Sequence, residues 1–155
     1  MSAVTIRIQQ EDFDIAREIA ALTASRTDIG AVVSFSGICR GGEDAGDTAA
    51  LTLEHYPGMA EAEITRHAED AMARWPLTGL TVSHRVGRLE PGDNIMVVLT
   101  ASAHRQAAFQ AAEFLMDYLK AHAPFWKRED TASGSTGWIE ANAADDAAAA
   151  RWAKS

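Results

Sequence analysis

From about Ala103 to His122 the chain carries no proline and no glycine, and its apolar residues recur with the period of a helix. Ala108, Ala111, Ala112, Leu115 and Leu119 fall on one stripe, which predicts one face turned to a core. Pro124 cannot continue the run and stops it. Twenty helical residues span about 30 Å, the width of a small domain. Whatever else this chain does, it must supply a layer that this stripe can lie on.

Strand patterns on both sides of the helix supply that layer. Ile95 to Ala101 directly precedes it, and Leu80 to Val86 lies one turn earlier, across Glu90-Pro-Gly-Asp93. Val4 to Ile8 alternates apolar and polar, and Asp12 or Asp14 can cap a first helix with Ile15, Ile19 and Leu22 on its apolar side. Gly30 to Gly37 reads as another strand, continuing into Ile38-Cys39-Arg40. The segment from Gly41 to Asp47, with three glycines and three acids, reads as a mobile loop. Leu51 to Tyr56 is a strand with Leu51, Leu53 and His55 on one face. Pro57-Gly58 then opens a helix whose stripe is Ile64, Ala68, Ala71, Met72 and Trp75, ended by Pro76. Beyond Phe125-Trp126-Lys127, read as an aromatic-anchored turn, come a polar loop with Gly134 and Gly137 and a short strand at Trp138-Ile-Glu140. An alanine-rich tail, helical or mobile, begins near residue 142. The fold class is α+β, one domain over residues 1–155 with mixed and antiparallel strands, and 155 residues suffice for a core without disulfide staples.

A net charge of −8 argues against a nucleic-acid scaffold that works by neutralising phosphates. If such a chain binds an anion, it must do so through a local basic cluster. The single cysteine, Cys39, rules out an internal disulfide and fits a reducing compartment. The amino terminus lacks a secretory pattern and no apolar run is long enough to cross a membrane, so a cytoplasmic location is the expectation. No Cys/His cluster has metal spacing and no glycine-rich phosphate loop is present, so neither a metal nor a cofactor is expected.

The basic groups are unevenly placed. Only three lysines occur, and two of them, Lys120 and Lys127, flank the Pro124-Phe125-Trp126 step. Lysine differs from arginine in that burial readily lowers its pKa, so it can exchange protons or attack an electrophile. Taken alone, each is more often a solvated surface charge. Ser102-Ala-His-Arg105 opens the long helix, with Ser102 as the expected cap. A bound anion there would meet free amides and both cationic side chains, whereas the plain alternative leaves His104 and Arg105 in water. Arg40 ends a strand beside a loop, a common place for ligand contacts. Cys39 reads as inert, and His55, His67, His84 and His122 as structural. His104 and Lys120 lie sixteen residues apart on one helix, about 24 Å. If both serve one site, two subunits of a two-fold dimer must build it.

At these same residues the chain resembles the large, catalytic subunit of the molybdopterin synthase family. The stretches that carry the resemblance are Gly30–Gly37, Leu51-Thr-Leu-Glu-His-Tyr-Pro-Gly-Met59, His84-Arg-Val-Gly87, Ser102–Arg105 and Met116-Asp-Tyr-Leu-Lys120 through Pro124-Phe-Trp-Lys-Arg-Glu129. The resemblance implies an α/β hammerhead fold and a sulfurtransferase that builds the dithiolene of molybdopterin on a cyclic pyranopterin monophosphate. Sulfur would come twice from a thiocarboxylate on the Gly-Gly tail of a small ubiquitin-like subunit. A homodimer would carry two such subunits as a heterotetramer. The family's substrate-binding positions fall on Ile38, Cys39, Arg40, His104, Arg105, Lys120, Lys127, Arg128 and Glu129. Lys120 and Lys127 would be catalytic, Arg40, His104 and Arg105 would hold phosphate, and Glu129 would orient its basic neighbours. On the residues alone two other readings stay open: an anion-binding regulatory module without turnover, and a dimerisation domain whose lysine segment is a docking edge.

Overall fold

A computed structural model describes residues 3–41, 48–122, 125–131, 134–139 and 143–154. Most of the Gly41–Asp47 loop, Pro124, and Glu140 at the end of the expected last strand lie outside the described residues. The chain is α+β, as expected, and its strands form two four-stranded sheets.

The first sheet runs β1 (Val4–Gln9), β4 (Leu77–Arg85), β6 (Asn94–Ser102), β2 (Ala31–Ile38) from edge to edge. β1 lies parallel to β4, and the other two pairings are antiparallel. Leu80 and Val82 of β4, with Met96 and Val98 of β6, point to one face. Two helices cover that face: α2 (Met59–Arg74) and α3 (Arg105–Ala121). Ile64, Ala68 and Ala71 of α2 and Phe114, Leu115 and Tyr118 of α3 close the main core. Each fully buried Leu, Ile or Val there contributes about 1.5–3 kcal/mol. α1 (Ile15–Thr23), capped by Asp14 through the Arg17 amide at 3.1 Å, covers the opposite face, where its Leu22 lies against Gly79.

The second sheet runs β5 (Gly87–Leu89), β3 (Thr48–His55), β7 (Phe125–Thr131), β8 (Gly134–Ile139), antiparallel throughout. Its Leu51, Leu53 and Leu89 bury Cys39, at the end of β2, in a second small core, and Ile95 packs against both cores. The two sheets therefore meet at the carboxyl end of β2 and the Glu90–Asp93 turn. There the Cys39 amide donates to Asp93 O at 2.9 Å and Cys39 O accepts from the Gly92 amide at 2.8 Å. A last helix, α4 (Ala143–Ala150), and a 3-10 turn at Arg151–Lys154 pack on α3. The Trp152 indole donates to Asp117 there at 2.7 Å.

Three expectations are corrected. Phe125-Trp126-Lys127 is not a turn but the start of β7, because it pairs residue by residue with β3. Gly134 and Gly137 lie in β8 rather than in a loop. Ser102 does not cap α3: it is still paired in β6 with Ala31 and Leu77, and its hydroxyl donates to Pro76 O at 2.8 Å. The cap residue is His104, with extended dihedrals, so Arg105 is the first helical residue.

Candidate functional site

As a strand, β7 sorts its charges by alternation. Phe125, Lys127 and Glu129 point one way, opposite His55, Leu53 and Leu51 of β3. Trp126, Arg128 and Asp130 point the other way, where Arg128 and Arg88 both meet the Asp130 carboxylate at 3.4 Å. Lys127 and Glu129 therefore share a face with buried Leu53 and Leu51, while Arg128 lies across the sheet from them. The Lys127 ammonium stands 3.7 Å from Glu129 Oε1, and both side chains keep part of their surface in water.

Cys39 sits under the same face. Burial pushes its thiol pKa up, Asp93 and Glu129 push it further, and Lys127 opposes them. A thiol so placed stays protonated at neutral pH, which suits an inert core residue and not a nucleophile. Its neighbours Ile38 and Arg40 are both exposed, so the end of β2 presents one apolar and one cationic side chain around the buried sulfur.

Lys120 occupies the last turn of α3 and is exposed. At the end of β4, His84 continues the face of Leu80 and Val82, and it is buried. Its Nδ1 lies 2.8 Å from Arg85 O, and because a carbonyl only accepts, Nδ1 carries the proton. Phe125 stacks on the imidazole with centroids 4.1 Å apart and planes at 20°, and the His55 ring lies tilted to Phe125 with centroids 6.4 Å apart. Burial lowers the His84 pKa to about 4, and the charges of Lys120 and His55 reinforce that direction. The Phe125–His84 stack thus joins β4 of the first sheet to the Lys127 face of β7 in the second. Sequence reading had set His84 and His55 aside as structural. The signal that marks His84 is its period-two place after Leu80 and Val82, a polar ring at a position built for an apolar one.

His104 and Arg105 lie elsewhere. With Gly30, Ala31, Gln106, Phe109 and Gln110 they line an open cavity of about 740 Å³ at the amino end of α3. Gly30 is required there: a Cβ at that position would stand 2.1 Å from Ala103 O, and its amide donates to Ser102 O at 3.0 Å. The cap side chain of His104 makes no hydrogen bond to the helix. Because α3 is one unbroken helix, the sixteen-residue separation stands as about 24 Å between His104 and Lys120. Within one subunit the expected site residues form separate groups. Ile38, Cys39, Arg40, Lys127 and Glu129 gather where the sheets meet, with Arg128 across the sheet from them, while Lys120 lies at the carboxyl end of α3 and His104 and Arg105 at its amino end.

Residues 8–122 match the family described as MoaE protein. The molybdopterin synthase catalytic subunit of Mesorhizobium japonicum is 63% identical over 159 residues, covering 100% of this chain and 99% of its own length. The Escherichia coli K12 protein of the same name is 47% identical over 152 residues, covering 98% and 100%. Among solved structures, the molybdopterin biosynthesis MoaE protein of Burkholderia ambifaria superposes with a TM-score of 0.82 at 49% identity, covering 97% of this chain and 98% of its own. A match across most of the chain, with end-to-end likeness to these relatives, places it by descent as well as by shape: the chain belongs to the MoaE protein family.

Proposed function

We propose that the chain is the catalytic subunit of a cytoplasmic molybdopterin synthase, a sulfurtransferase that converts cyclic pyranopterin monophosphate to molybdopterin. The observation that carries the reading is the Lys127–Glu129 pair, held on the face of β7 that lies over Leu51, Leu53 and the buried Cys39. A thiocarboxylate tail is an extended, anionic strand end, and two ammonium groups beside a sheet offer it a charged landing point. Lys120 and Lys127 bind the thiocarboxylate and move protons as the cyclic phosphate opens and sulfur adds. Glu129, 3.7 Å from the Lys127 ammonium, orients it. Arg40, with His104 and Arg105, holds the phosphate, and the distance of the last two from Lys120 supports a reading in which the neighbouring subunit of a dimer donates them. Arg128, on the opposite face with Asp130, acts at the margin of the site rather than beside Lys127. A small ubiquitin-like subunit at each end of the dimer completes the heterotetramer and supplies both sulfurs.

The test is incubation with the pterin precursor and thiocarboxylated small subunit, followed by assay for molybdopterin. Lys120→Ala and Lys127→Ala should each lower turnover by about 10²–10⁴-fold, as loss of a proton-transfer group does, while dimer and partner binding persist. Turnover at the wild-type rate in both variants sinks the assignment.

A further inference from the structure

Phe125 has no place in the roles given above, yet it joins the two sheets. It opens β7, pairs with His55 at the end of β3, and packs against the main core of the first sheet. Lys127 stands two residues further along the same face, about 7 Å away. The Phe125 ring lies on the imidazole of His84, with centroids 4.1 Å apart and planes at 20°. That imidazole is itself fixed, because it is buried and its Nδ1–H donates to Arg85 O at 2.8 Å. The Arg85 side chain donates in turn to Gln10 O at 3.0 Å and Asn94 O at 3.1 Å, which ties the end of β4 to the elements on both sides of it. His84 is therefore a rigid platform of the first sheet, and the first residue of β7 rests flat upon it.

We propose that the His84–Phe125 stack is a positioning device for Lys127: ring on ring fixes the start of β7 against the first sheet, and so sets where the Lys127 ammonium stands. This rests on Lys127 acting in the reaction. Pairing with β3 sets the register of β7, but both strands belong to the second sheet, so that pairing does not set how this sheet lies on the first. A near-parallel stack fixes height and tilt together, whereas an aliphatic contact leaves the strand free to slide. The same need explains a histidine where Leu80 and Val82 precede it on one face. A leucine would fill the space, but it would offer Phe125 no flat surface.

Two substitutions approach the stack from its two sides: His84→Leu and Phe125→Leu each keep an apolar side chain and remove one flat ring. In the reconstituted synthase, with rates scaled to folded dimer, each should lower kcat about tenfold, the cost of a displaced reacting group. KM for the pterin precursor should be unchanged, since Arg40, His104 and Arg105 hold the phosphate. The double variant should be no slower than either single one, because both remove the same contact. In a Lys127→Ala background neither should cause further loss, since the group that the stack positions is gone. Four results overturn the proposal: wild-type kcat in either single variant, a loss carried by KM alone, additive losses in the double variant, or a further loss in Lys127→Ala. Wild-type turnover in Lys127→Ala alone would overturn the reading of Lys127 and this proposal with it. A large loss there, with wild-type kcat in both leucine variants, would remove only the role of the stack.

Discussion

Two inactive variants of this enzyme should make an active one when they share a dimer. Arg105 starts α3 and Lys120 lies in its last turn, fifteen residues on, so about 1.5 Å × 15 ≈ 22 Å of rigid helix separates them. One subunit cannot bring both to the same phosphate-sized group, whereas a two-fold axis brings the start of one helix to the end of its mate. Consider Arg105→Ala in one subunit and Lys120→Ala in the other. One of the two composite sites then carries both substitutions, and the second carries neither. A purified heterodimer should show about half of the wild-type rate. Random 1:1 mixing with full exchange makes half of all dimers mixed, so the mixture should recover about one quarter of it. Each parent alone should stay about 10²–10⁴-fold down.

The assay is molybdopterin formation with saturating small subunit, on heterodimers purified through two different affinity tags. Tag-selected material removes the parents from the count, so the expected half is not blurred by mixing statistics. If the heterodimer is no more active than its parents, Arg105 and Lys120 act within one subunit or in different steps. The cross-dimer site is then wrong, whatever the activity of the wild type. A rate near half the wild type has no explanation within a single subunit.

Two further outcomes follow from the packing. His84 is neutral when folded, with a pKa of about 4, against an ordinary value near 6.5. The unfolded chain therefore binds the extra proton first, so stability is complete above about pH 6.5 and falls as pH drops toward 4, by at most about 3 kcal/mol. Urea midpoints should decline over that window in the wild type, and His84→Gln should remove that part of the decline. At Gly30 an added methyl would lie 2.1 Å from the backbone oxygen of Ala103, whereas at Gly37 it would meet the flexible Met96 side chain at 3.2 Å. Gly30→Ala should therefore lose about 1–3 kcal/mol in urea unfolding and weaken the His104–Arg105 cavity. Gly37→Ala should lose clearly less, and equal losses would refute the steric reasoning.

How much of this was readable from residues depends on which force shapes each element. α2, α3 and the central strands show hydrophobic periodicity because one face of each is buried, and burial is what such patterns record. β7 shows none. Its buried-side residues after Phe125 are Lys127 and Glu129, and its other face carries Arg128 and Asp130, so neither face looks apolar. Backbone pairing to β3, not a hydrophobic pattern, makes it a strand. β8 hides for a related reason, since its two glycines read as loop. At Ser102 two local rules competed. A serine before a helix is a good cap, but here ladder pairing on both sides and the bond to Pro76 O held it in the strand, and the cap passed to His104.

The site was legible as a set of residue types and not as a geometry. Counting lysines finds Lys120 and Lys127 without a fold, but only the strand assignment shows that Lys127 and Glu129 share a face while Arg128 does not. The stack of Phe125 on His84 spans forty-one positions and two sheets, and no local pattern encodes it. The same helix that made the fold predictable also divides the chemistry. α3 is long because its stripe must cover a sheet, and that length carries His104 and Arg105 out of reach of Lys120. In the proposed reading, an acidic chain gathers cations around an anion by pairing two copies, so that the start of each helix serves the end of the other.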